Sequence, residues 1–86
     1  MADPSPSLLL ARATRQLTTA GMETPAADAR MLLCGALRIQ PSQLIRVTSV
    51  NADDEDRFNQ MVDRCRGGEP AQYIICLLYT SLMARG

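Results

Sequence analysis

The stretch NADDEDRFNQMVDRCRGG, residues 51–68, decides the fold. Asn51 is a good N-cap, and Asp53, Asp54 and Glu55 crowd the end of a helix where the dipole is positive. Phe58, Met61, Val62 and Cys65 then recur at i, i+3, i+4 and i+7. That spacing places all four on one face. Asp56, Asn59, Gln60, Asp63 and Arg66 fall off the stripe, and Gly67-Gly68 stops the helix. The same rhythm appears upstream: Thr24-Pro25 suits an N-cap followed by a first helical position, and Ala29, Leu32, Leu33 and Ala36 make a second stripe, widened by Leu37. Gly35 weakens the end of this helix and lets a neighbour approach closely. Neither helix is stable alone in water at this length, so the two stripes need each other.

Working outward, Ser7 is read as the cap of a first helix from about Leu8 to Ala20, with Leu10, Ala13, Leu17 and Ala20 on its apolar side and Gly21 ending it. Ser42 to Val47 reads as a short helix anchored by Leu44 and Ile45, with an amphipathic strand as the competitor. Glu69-Pro70 starts a last turn through about Ile74. The sequence therefore predicts an all-α fold, a small bundle of four to five short helices. Residues 1–6 read as a disordered leader, 7–75 as the helical domain, and 76–86 as a tail.

Composition narrows the chemistry. The chain has 86 residues, so one small domain with a modest core is expected. Aromatic residues are 3%, which leaves the core to aliphatic side chains. Nine cations, all arginine, balance nine acids, and a net charge of zero counts against autonomous binding to a phosphate backbone. There is no histidine, which removes the commonest general base and zinc ligand. Cys34, Cys65 and Cys76 form no Cys-x-x-Cys and read as free thiols of a reduced, cytoplasmic protein. No apolar stretch is long enough to span a bilayer, and no secretory signal is visible.

No catalytic or metal-binding constellation emerges. Asp53-Asp54-Glu55-Asp56 lacks the fixed glycine and terminal glutamate of a calcium loop and reads as a solvated helix start. Gly67-Gly68 follows a helix where a phosphate-cradling loop would follow a strand. Arg38 and Arg46 flank a helix–turn–helix-like connection and would reach phosphates, but two short consecutive helices occur in most small helical domains.

The segment Gly67-Gly68-Glu69-Pro70-Ala71-Gln72-Tyr73-Ile74 resembles the Gly-Glu-Pro-x-x-Tyr-Ile motif of the release factor glutamine methyltransferases (the PrmC/HemK family). Ala20-Gly21-Met22-Glu23-Thr24-Pro25, Asp28-Ala29-Arg30-Met31-Leu32-Leu33 and Phe58 to Arg66 are similar to upstream motifs of that family, in the same order. The resemblance covers about Leu8 to Ile75. It implies the N-terminal, substrate-recognition bundle of an enzyme that uses S-adenosylmethionine to methylate a glutamine side-chain amide of class I peptide chain release factors.

The cofactor loop and the Asn-Pro-Pro-Tyr motif of such enzymes lie in a second domain, and this sequence contains neither. The resemblance thus implies no cofactor site and no activity for these residues alone. Arg64, Glu69 and Tyr73 are the candidate partner-binding residues by resemblance. Each also has a plainer reading: Arg64 as a solvating charge on its helix, Glu69 as a cap, and Tyr73 as filler at the core edge with its hydroxyl in water. A free-standing helical module for protein interaction or nucleic-acid binding is the alternative.

The resemblance ends abruptly. After Ile75 the family continues with Gly and a strand, whereas Cys76-Leu77-Leu78-Tyr79-Thr80-Ser81 is similar to a translated transposon-end sequencing adapter. The expectation is that residues 76–86 are not native, and that their apolar run lowers solubility relative to a chain ending at Ile75.

Overall fold

The structure, a computed structural model, describes residues 3–76. Four helices, α1 (Pro6–Thr19), α2 (Pro25–Leu37), α3 (Pro41–Leu44) and α4 (Ala52–Arg66), are followed by a last helical segment, α5, over 71–76. Among the described residues there is no strand, and the architecture is the all-α bundle expected. The expected tail from Leu77 onward lies outside the described residues.

The central element is α2, which packs against α1, α3 and α4. Its stripe is buried as read: Ala29, Leu32, Leu33 and Ala36 are sealed from solvent, and so is the facing stripe of Phe58, Met61, Val62 and Cys65 on α4. Leu9, Ala13 and Leu17 of α1 close the core from the other side. At roughly 1.5–3 kcal/mol per large apolar side chain, this burial is the main force holding five short helices together. Gly35 does admit a neighbour: a Cβ there would stand 2.9 Å from Cγ1 of Ile75, so α5 lies directly on the α2 backbone.

Three local readings need correction. Helix α1 starts at Pro6, capped by Ser5, whose Oγ accepts from the Leu8 N–H at 3.3 Å. The Ser5-Pro6 pair uses the same cap-then-proline pattern as Thr24-Pro25, and it draws Leu9 into the core in place of Leu10, which is half-buried, while Ala20 is exposed. The leader is accordingly shorter than read: the Pro4 carbonyl accepts from the Val50 N–H at 2.9 Å. Third, α3 stops at Leu44, and Ile45 is 89% exposed instead of anchoring a helix. Val50, one of the β-branched residues behind the competing strand reading, is the residue of this connection that enters the core. A four-residue helix offers too little surface to bury two neighbouring apolar side chains, and the chain spends its next residues reaching the start of α4.

Helices α1, α2 and α4 end in the same way. A left-handed residue follows each one, and the next residue's N–H returns five positions to the helix: Met22 to Leu17 at 3.1 Å, Ile39 to Cys34 at 3.0 Å, and Glu69 to Arg64 at 3.3 Å. This closure satisfies carbonyls that the helix itself leaves unpaired. Glycine fills the left-handed position after α1 (Gly21, φ 88°) and after α4 (Gly68, φ 108°), but Arg38 fills it after α2, with φ 60°.

Candidate partner-docking site

The closure of α4 builds the site. In this motif the side chains of the first and last residues of the six-residue loop lie side by side, usually as an apolar contact. Here those residues are Arg64 and Glu69, and the contact is a two-pronged ion pair. The Arg64 Nε donates to one Glu69 carboxylate oxygen at 2.8 Å, and a terminal nitrogen donates to the other at 3.1 Å. Such paired, charge-assisted bonds fix orientation better than a single contact does. Hydrogen bonding from Arg64, with a smaller contribution from its charge, holds the Glu69 carboxyl below the usual carboxylate range. Tyr73, early in α5, is half exposed and lies on the same side as Arg64.

Arg64, Glu69 and Tyr73 are therefore together at one end of the bundle, with the arginine and glutamate engaged to each other at the surface. Pro70 follows at once, and Ala71 and Ile74 root α5 in the core.

Beside this end runs an open groove of about 430 Å³. One wall is the Gly21–Thr24 turn with Asp28 and Met31 of α2; the other is Pro70–Gln72. The walls come from opposite halves of the sequence, yet every residue in them belongs to one of the motifs quoted above. Sequence reasoning did not single out Glu23, Asp28 or Gln72 as site residues. Nothing local in their spacing marks them, because the groove exists only once α5 folds back over α2.

The remaining ionisable groups form no reactive arrangement. Among the described residues no group of three or more acids and cysteines is placed to hold a metal ion. Burial pushes the Cys34 and Cys65 thiols up, which keeps both protonated and unreactive at neutral pH. Arg57 is structural: it donates to the Ala36 carbonyl at the end of α2 at 3.0 Å while pairing with Asp54 at 3.1 Å. The two arginines considered for phosphates, Arg38 and Arg46, are exposed, but four-residue α3 is too short to serve as a recognition helix.

Comparison with known proteins agrees with the quoted motifs. Residues 9–75 match the family model described as the PrmC N-terminal domain. The chain is similar to a release factor glutamine methyltransferase from Aliivibrio fischeri, 36% identical over 69 residues, which is 78% of this chain and 24% of that protein. The chain thus spans about a quarter of the length of the curated relative it matches. No solved structure matches it. With two-thirds or more of its residues inside one family model, this chain belongs to the PrmC N-terminal domain family.

Proposed function

We propose that this bundle is the release-factor-docking domain of a protein-(glutamine-N5) methyltransferase that acts in the cytoplasm. The observation that carries the reading is the match of residues 9–75 to the family model, joined to a docking end that has exposed polar groups and no reactive ones. The name of the Aliivibrio fischeri relative, release factor glutamine methyltransferase, points to a release factor as substrate, and the motif resemblance narrows this to class I. In this reading the bundle presents Arg64, Glu69 and Tyr73 to the partner, and the methyl transfer belongs to the catalytic part of a full-length enzyme.

S-adenosylmethionine is the methyl donor implied for such an enzyme. The residues here do not fit it. A nucleoside cofactor of this kind takes a glycine-rich loop between a strand and a helix. Among the described residues there is no strand, and Gly67-Gly68 close a helix. No helix of the described residues is long and apolar enough to cross a membrane.

Titration of the 86-residue chain with a purified class I release factor tests the docking role. Saturable binding weakened by Arg64→Ala and Tyr73→Ala is expected, with no methylation of the release factor when S-adenosylmethionine is added. Absence of binding, or any turnover by this chain alone, would overturn the reading.

A further inference from the structure

The groove beside Pro70 has a chemistry of its own. Its two ionisable residues are both acids, Glu23 and Asp28, and no arginine lines it. Among the described residues neither carboxylate has an arginine within ion-pair distance, although Arg12, Arg57, Arg64 and Arg66 are each paired elsewhere. Asp28 meets only the Thr24 hydroxyl, at a long 3.5 Å. Between the acids the surface is apolar, supplied by Met22, Met31 and Pro70. The positive ends of α2 and α5 face the same region, but each contributes about half a charge at most. The two carboxylates outweigh them.

A pocket with an apolar floor and two unpaired carboxylates suits a side chain with an aliphatic stem and a cationic head. Its volume of about 430 Å³ is room for a few side chains of a peptide segment. Methionine floors adapt to differing apolar shapes, while the carboxylates set the charge. We propose that this groove binds an arginine- or lysine-bearing segment of the partner protein, with the cation held by Glu23 and Asp28 and a flanking apolar residue resting on Met22 and Met31. This rests on the docking role above and names the chemistry that the partner must present. Together with the Arg64–Glu69 pair next to it, the groove turns one end of a neutral domain into a surface with a definite charge pattern.

The test is a titration of the isotope-labelled 86-residue chain, followed by amide NMR, with the pentapeptide acetyl-Ala-Leu-Arg-Leu-Ala-amide. The control peptide carries neutral citrulline in place of arginine. Shifts confined to residues 21–31 and 70–72 are expected, with the citrulline peptide binding roughly fivefold more weakly or worse. Glu23→Gln and Asp28→Asn should each weaken the arginine peptide about as much and leave the citrulline peptide unchanged. Equal affinity for the two peptides would overturn the proposal. So would shifts centred on another face, or saturation of the groove by a second copy of the chain at rising protein concentration. The docking role is judged separately on the release factor. If the release factor binds but ignores Glu23→Gln and Asp28→Asn, this proposal fails and the docking role stands. If the peptide binds as expected and the release factor does not, the docking role fails and the groove stands.

Discussion

Arg38 is the one non-glycine residue in a left-handed conformation among those described, with φ 60° and ψ 44°. Its Cβ crowds the following carbonyl, at roughly 1–2 kcal/mol. Glycine would relieve this but add about 0.4–1 kcal/mol of unfolded-state entropy. Arg38→Gly is therefore expected to raise stability by about 0.5–1 kcal/mol in urea denaturation, while Arg38→Ala changes little. A loss on Arg38→Gly would mean that the arginine side chain makes a contact worth more than the backbone relief. Glu69 poses a different question at the same scale. Its carboxyl is held low in the folded state by Arg64. The pair's contribution to stability is thus fully present above the ordinary glutamate range, about 4.3, and is lost as pH falls through the depressed folded value. NMR titration of the Glu69 carboxyl should give a midpoint below that of a free glutamate, returning to the ordinary range in Arg64→Gln.

At the scale of the element, the closures after α1, α2 and α4 decide where the helices stop and which side chains meet. Gly68, at φ 108°, is the residue on which the Arg64–Glu69 pair depends. Gly68→Ala is expected to destabilise the fold by about 1–2 kcal/mol and to return Glu69 to an ordinary titration. Gly67, at a right-handed φ of −76°, should tolerate alanine far better. The contact of α5 with α2 gives a second prediction. Alanine at a helical glycine usually gains about 1 kcal/mol. At Gly35 the new Cβ would sit 2.9 Å from Ile75, so Gly35→Ala alone should lose most of that gain. In an Ile75→Ala background the gain should reappear. An equal effect of Gly35→Ala in both backgrounds would show that α5 does not rest on α2 in solution.

For the whole molecule, one aliphatic core with Phe58 within it joins all three long helices, α5 and Val50. A domain this small should unfold in one cooperative step, because no helix keeps a buried face without the others. The cysteines report on this. Cys34 and Cys65 are buried and Cys76 is exposed. A thiol reagent under native conditions should modify one cysteine rapidly, and the other two only at the rate of global opening. Rapid reaction of two or three thiols in the absence of denaturant would show a core that opens locally. The bond from Val50 to the Pro4 carbonyl belongs to this scale as well, since it ties the start of the chain to the connection between α3 and α4.

The stripes on α2 and α4, the helix start at Thr24-Pro25 (where the Thr24 side chain makes no capping bond), the cap at Asn51, and the stops at Gly21 and Gly67-Gly68 are all encoded in residues a few positions apart. They are local preferences with a 3.6-residue period, and the order of the chain alone encodes them. The start of α1 is encoded in the same terms, as Ser5-Pro6, two residues ahead of the expected cap at Ser7. Ile45 and Val50 differ in kind. Both are β-branched and apolar in one short connection, and nothing within it says which faces the core. That choice was made by distance: the connection must reach α4, and only Val50 lies where the core is. The groove, the position of Ile75 over Gly35, and the role of Arg57 as a brace for α2 are likewise products of the tertiary structure. Each joins residues more than twenty positions apart, and a contact of that separation exists only after burial of the stripes has brought the helices together.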